Sequence, residues 1–266
     1  MISCVVVGAA GRMGRFLVAN VMETEGIQLT GAVEYPASPF IGQDAGELAG
    51  CGTAGVKITG DVTPLLGEAD VVINFATDGV MECARNAVAA GTAMVIGTTT
   101  LGDEGKEELK ALAEKGGRIV AAGNMSVGVN LLYKLVSEAA KILGESFDVE
   151  IVEMHHNRKK DAPSGTAARL AEVVCETLGR DRSDLVYGRE GLTGERTSRE
   201  IGMHSLRGGD VVGDHTVYFA SEGERIELTH RASSRNTFAR GAVRAAKWIV
   251  AAESGLYDMQ DVLGFK

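Results

Sequence analysis

Along the chain, apolar positions fall into two different rhythms. In the first half, short continuous apolar runs at residues 2–7, 27–33, 70–75, 93–96 and 118–121 predict strands. Between them, residues 12–22, 78–90 and 103–115 place apolar side chains at helical spacing, and residues 36–55, rich in Gly, Ala and Pro, read as loop. Strand, helix, strand in this order means a parallel sheet with helices on both faces. The strands are continuously apolar rather than alternating, which fits burial on both sides.

After Asn124 the rhythm changes. Residues 127–143 read as one long helix, 147–154 as a half-buried strand, and a helix starts near Ser164 and runs to about Leu178. Residues 179–197 are polar and arginine-rich and read as a surface loop. Strands at 200–206, 210–219 and 225–230 follow without intervening helices, which predicts mainly antiparallel pairing, and residues 237–252 close as a helix. The fold class expected is therefore α/β: an N-terminal Rossmann-like, doubly wound parallel sheet plus an α+β domain with a mainly antiparallel open sheet. The boundaries predicted are 1–125 for a dinucleotide-binding domain and 126–236 for a substrate-binding and oligomerisation domain, with 237–266 as a C-terminal helix and tail returning to the first. No internal repeat or low-complexity tract interrupts this order.

Composition narrows the function classes. The chain has 266 residues, 45% hydrophobic and 24% charged, as a folded globular protein does. A net charge of −9 argues against a nucleic-acid partner, whose phosphates call for a basic surface. Four cysteines (Cys4, Cys51, Cys83 and Cys175) form no C-x-x-C pair, so neither a zinc ribbon nor a dithiol redox site is indicated, and a reducing compartment fits best. No signal-like N-terminus and no bilayer-length apolar run is seen, so the expectation is a cytoplasmic protein with no membrane partner.

Two segments carry chemistry. The first strand ends in Gly8-Ala9-Ala10-Gly11-Arg12-Met13-Gly14, a glycine turn that opens a helix and lets bare backbone approach a pyrophosphate. The spacing departs from strict G-x-G-x-x-G at Ala10 and Met13. Context strengthens it, because the next strand ends in Glu34, 20 residues past Gly14, where an acid can bond ribose hydroxyls. Tyr35, not Arg, follows Glu34, so a 2′-phosphate would be repelled without a guanidinium beside it. The balance favours NADH, and Arg12 leaves dual use with NADPH open. Two further strand ends, Gly97-Thr98-Thr99-Thr100 and Ala122-Gly123-Asn124-Met125-Ser126, fall at the same carboxyl edge, where ligands of open α/β sheets bind.

The second segment runs from Glu153 to Thr166. Two histidines (His155 and His156), three consecutive cations (Arg158, Lys159 and Lys160) and a helix start lie within 14 residues of an otherwise acidic chain. Histidine supplies a general acid near neutral pH, a neighbouring lysine can steer an anion or deliver a proton, and backbone amides of Gly165 and Thr166 at a helix start would bind a carboxylate. The rival readings are a solvated charged loop and a metal site. Neighbouring residues on an extended strand point to opposite faces, and no H-E-x-x-H spacing occurs, so no metal is expected.

The segment Glu153-x-His155-His156-x-x-Lys159-x-Asp161-x-Pro163-Ser164-Gly165-Thr166 resembles the signature of the dihydrodipicolinate reductases. GAAGRMG, GTT at 97–99, AGNMSVGVN at 122–130, SLRGGDVVGDH at 205–215 and THRASSRNTFARGA at 229–242 resemble that family in the same order, so the likeness spans essentially the whole chain. The resemblance implies an NAD(P)H-dependent reductase of lysine and diaminopimelate biosynthesis, acting on an unsaturated cyclic imine dicarboxylate. It implies His155 and Lys159 as the proton-handling pair, and His156, Gly165 and Thr166 as the grip on the substrate carboxylates. Gly8, Ala9, Ala10, Gly11, Arg12, Met13, Glu34, Gly97, Thr98, Thr99, Ala122, Gly123, Asn124 and Met125 would line the cofactor. A homotetramer built through the second domain's sheet is also implied. Two departures stand out: Tyr35 where NADP-tolerant members carry arginine, and Thr100 where many have glycine. An aspartate-semialdehyde or homoserine dehydrogenase type and a non-catalytic nicotinamide-binding protein are the alternatives. The aspartate-semialdehyde type needs a reactive cysteine, and none lies beside the His-His-Lys segment; a non-catalytic binding protein has no need of a proton donor.

Overall fold

The computed structural model describes residues 1–98 and 101–266. In chain order, the elements are β1 (Ile2–Val7), α1 (Arg12–Glu23), β2 (Ile27–Val33), α2 (Ala45–Ala49), β3 (Ile58–Thr59), α3 (Thr63–Leu66), β4 (Val71–Asn74), α4 (Val80–Ala90), β5 (Ala93–Ile96), α5 (Asp103–Glu114) and β6 (Arg118–Ala121). There follow α6 (Val127–Leu143), β7 (Asp148–His155), α7 (Gly165–Leu178), β8 (Leu185–Tyr187), β9 (Ile201–Arg207), β10 (Gly213–Ser221) and β11 (Glu224–Ala232), then α8 (Asn236–Ile249), β12 (Gly255–Tyr257) and α9 (Met259–Val262). The chain divides into two compact units, residues 1–127 with 235–266, and residues 128–234.

The first unit holds a seven-stranded sheet in the order β12-β6-β5-β4-β1-β2-β3, with every ladder parallel. Successive side chains of its central strands go to opposite faces. Cys4, Val6, Val71, Ile73, Ala93 and Val95 join Leu17 and Val18 of α1 and Ala242 and Ala246 of α8 in one core. Val5, Val72, Met94 and Ile96 join Cys83 of α4 and Leu109 of α5 in another. Both faces are therefore dry, which explains runs without polar alternation. Helix α8 packs against α1, β4 and β5, and its contact stripe is built of small residues. Gly241 is needed there: a Cβ on it would stand 1.7 Å from the Met125 carbonyl oxygen.

Residues 36–55 are not all loop, because α2 falls among them. One carboxylate organises it: Asp44 Oδ1 accepts from the amides of Gly46, Glu47 and Ala54, and Oδ2 from Gly55. A helix of 5 residues is too short for periodicity to reveal. The 3-residue β12, which pairs with β6, escaped for the same reason.

In the second unit a five-stranded sheet runs β11-β10-β7-β9-β8. It is mixed: β7–β9 and β8–β9 are parallel, β7–β10 and β10–β11 antiparallel. The expected antiparallel pairing holds for β7, β10 and β11. The helix foreseen at 164–178, α7, lies between β7 and β9 and permits their parallel pairing, and β8 was hidden inside the polar stretch 179–197. One face of this sheet, with Val149, Ile151, Ile201, Met203, Val217 and Phe219, packs on Leu132 and Val136 of α6 and Leu170 and Val174 of α7. Among the described residues no helix is long and apolar enough to cross a membrane.

Candidate active site

In the first unit, β1 passes into α1 through Gly8, whose φ is +78°, a left-handed conformation that favours glycine. The Gly11 amide donates to the Gly8 carbonyl at 3.0 Å, which closes the turn. Gly11 is the N-cap of α1, and neither a capping side chain nor an acidic residue of the first turn covers that helix start. Uncovered amides and the positive end of a helix dipole suit a pyrophosphate. Ala9 and Ala10 are buried beneath the turn, while Arg12 and Met13 begin α1. Glu34 stands just after β2 and reaches back to the turn, its Oε2 accepting from the Ala10 amide at 3.0 Å. The fold thus brings Gly8–Gly11 and Glu34 together, and the residues fit a dinucleotide. Tyr35 is more than half exposed beside it.

Gly97, after β5, lies against the ring of Phe75, where a Cβ would stand 2.1 Å from a ring carbon. The Ala122 amide donates to the Ile96 carbonyl at 3.1 Å, which ties the ends of β5 and β6 to each other. Thr98, Ala122 and Gly123 line one cavity of about 470 Å³ with Lys106 and Tyr257. Arg12 lines another, with Arg15 and Arg235. Asn124 Oδ1 accepts from the Ser126 amide at 2.9 Å, and Met125 is buried with its carbonyl against Gly241. Thr99 and Thr100 lie outside the described residues.

The Glu153–Thr166 segment spans the end of β7, the loop after it and the start of α7. His155 is the last residue of β7, and its Nδ1 lies 2.6 Å from Glu153 Oε2. Glu153 has no exposed surface. Both of its oxygens accept from the Arg207 guanidinium at 2.9 Å, and Oε1 also accepts from the Ser164 amide at 3.2 Å. Burial opposes the charged form of Glu153, but the hydrogen bonds from Arg207 and His155 outweigh it and hold the carboxyl below its ordinary range. His155 titrates below its ordinary value because burial disfavours the imidazolium; Lys159 and Arg207 push the same way and Glu153 pushes back.

His156 follows the strand; its amide donates to the Val211 carbonyl at 2.8 Å and its Nδ1 accepts from the Arg158 amide at 3.2 Å. Lys159 is 18% exposed and its Nζ lies 2.6 Å from Asp161 Oδ2. Ser164 caps α7 by accepting from the Ala167 amide, and Gly165 and Thr166 open that helix. The Thr166 hydroxyl meets the phenol of Tyr133, which burial pushes up to about 12. Among the described residues no group of three His, Cys, Asp or Glu side chains is placed to hold a metal.

The residues that sequence reasoning left without a role are Glu153, Arg207 and His215. Glu153 pairs in register with Ser205 of β9 and His215 of β10, and His155 pairs with Arg207. His215 is buried, its Nε2 lies 3.0 Å from Ser164 Oγ, and its ring meets that of His155 edge-on with centroids 5.2 Å apart. Both Arg207 and His215 fall in the motif at 205–215, the one signal that pointed to them; strand register alone shows what they touch.

Known proteins resemble the chain over its whole length. The family model of the dihydrodipicolinate reductase N-terminus matches residues 2–125, and that of the C-terminus residues 128–263. The 4-hydroxy-tetrahydrodipicolinate reductases of Syntrophotalea carbinolica and Geotalea daltonii are 54% and 53% identical, with 100% of each chain covered. A dipicolinate-bound dihydrodipicolinate reductase from Paenisporosarcina sp. TG-14 superposes with a TM-score of 0.77 at 26% identity, covering 98% of both chains.

Proposed function

The chain belongs to the dihydrodipicolinate reductase family, and we propose the division of labour by which it acts as a nicotinamide-dependent 4-hydroxy-tetrahydrodipicolinate reductase. The observation that carries the reading is the gathering, in one unit, of a largely buried imidazole, a largely buried lysine and a helix start within the segment 153–166.

Gly8, Ala9, Ala10, Gly11, Arg12 and Met13 hold the pyrophosphate and Glu34 the ribose hydroxyls. Gly97, Thr98, Thr99, Ala122, Gly123, Asn124 and Met125 hold the nicotinamide end. The bound cofactor supplies the hydride. His156, Gly165 and Thr166 grip the carboxylates of the cyclic imine, through an imidazole and helix-start amides. A dianion placed there favours the protonated form of His155, against the burial that disfavours it. Addition next to the conjugated imine leaves an enamine-like anion, and His155, with Lys159 beside it, delivers the proton that neutralises it. The likeness to a dipicolinate-bound reductase supports a ring dicarboxylate as the ligand.

NADH is the preferred donor on the strength of Glu34 and Tyr35, with NADPH as a second substrate. A homotetramer assembled on the open face of the second unit's sheet, working in the cytoplasm without nucleic-acid or membrane partners, completes the reading; four free cysteines and a net charge of −9 support it. The test is oxidation of NADH by the purified protein with freshly generated dihydrodipicolinate. A folded sample that binds NADH but shows no turnover would overturn the proposal.

A further inference from the structure

We infer that Glu153, clamped by Arg207, is the positioning residue that fixes the tautomer of His155 and ties the substrate-binding start of α7 to it. The inference rests on the reading above, in which His155 gives up the proton.

A carboxylate without exposed surface is costly unless paired, and a packed apolar side chain in its place would serve stability as well or better. Here two oxygens collect donors from every side: two from Arg207, Nδ1 of His155, the Ser164 amide and the Ser205 side chain. An ionised carboxylate can only accept. Nδ1 of His155 is therefore the protonated nitrogen of the neutral ring, and Nε2 is the atom at which a proton comes and goes. The same carboxylate holds the Ser164 amide, at the N-cap of α7, so proton donor and carboxylate grip are referred to one buried group.

The ring is also walled in. A Cβ on Gly213 would stand 3.0 Å from His155 Nε2, so glycine leaves the room that this atom occupies. His215 packs edge-on against the ring at 5.2 Å between centroids. The charged and titratable groups facing His155 are Glu153 on its own strand, Lys159 in the loop after it, Arg207 on β9 and His215 on β10. Of these, Glu153 alone favours the imidazolium. Its removal and that of Arg207 must then act in opposite directions.

Histidine-detected NMR titration of the full-length protein tests this alongside the pH profile of kcat. In Glu153→Gln, the His155 midpoint should fall by about one pH unit or more, the Nδ1–H tautomer should lose its dominance, and kcat should drop about a hundredfold or more with NADH affinity unchanged. In Arg207→Gln, Glu153 remains and the His155 midpoint should rise; this variant decides the matter if Glu153→Gln does not fold. An unchanged midpoint and tautomer in the folded variants would reduce Glu153 to a packing role and overturn the inference. Full turnover in His155→Gln would instead overturn the assignment of His155, leaving the NMR result untouched, so the two failures are distinguishable.

Discussion

Gly14 packs so tightly on Gly8 that a Cβ added to it would stand 2.0 Å from the Gly8 carbonyl oxygen. That oxygen is backbone, and it also accepts the Gly11 amide that closes the turn, so it cannot step aside. Gly14→Ala should therefore open the turn between β1 and α1. The expected outcome is a loss of NADH affinity of at least about tenfold by fluorescence titration, with the dicarboxylate site of the second unit still able to bind dipicolinate. Unaltered NADH binding would show that the close approach has no part in cofactor recognition.

His155→Gln and Lys159→Ala should each lower kcat by about two orders of magnitude or more and leave NADH affinity nearly unchanged. The two should differ in KM. The charge of Lys159 is in place before the dianion arrives, whereas His155 takes up its proton as the dianion binds, so loss of Lys159 should raise KM the more. Steady-state kinetics with dihydrodipicolinate separates the two roles, and equal loss of NADH binding in either variant would point to damage to the fold.

Cofactor choice is expected to sit at the exposed residue beside Glu34. Tyr35→Arg supplies a guanidinium where a 2′-phosphate would lie and should raise the ratio of kcat/KM for NADPH over NADH. The partner variant Glu34→Gln should move the ratio the same way by removing repulsion. If neither changes the ratio, Arg12 becomes the residue to vary.

His215 makes stability depend on acid. Burial, with the like charge of His155 as a lesser cause, lowers it from 6.5 to about 3. The sign follows from linkage: as pH falls below 6.5 the unfolded chain takes up this proton while the native ring does not, so stability is lost on the way down. Between pH 6 and pH 4 this one group costs on the order of 2 kcal/mol. Urea unfolding of wild type and His215→Gln at both pH values measures it; the variant should show the shallower dependence. Equal slopes would mean that His215 titrates normally.

The five longest strands of the first sheet were legible in the sequence, because they are buried on both faces and the helices beside them bury one. Hydrophobic periodicity records each condition directly. The bounds of β2, β5, β6 and α6 read from apolar spacing coincide with those of the structure. What escaped was short or held by polar contacts: α2, organised by Asp44, the short helices α3 and α9, the 2-residue strand β3 and the two 3-residue strands β8 and β12. Such elements exist through partners distant in sequence and leave no period of their own.

The candidate site divides along the same line. The segment from Glu153 to Thr166 announced itself by composition, since imidazoles, cations and a helix start concentrated in an acidic chain are visible one residue at a time. Local sequence by itself determined which groups are available for chemistry and where a dinucleotide turn lies. Tertiary structure alone decided what clamps Glu153 and what walls in His155, because that depends on strand register. Pairing β7 with β9 and β10 sets Arg207 beside His155 and His215 beside Glu153, residues 52 and 62 positions apart in the chain. No periodicity encodes such a neighbour; hydrogen bonding between strands does.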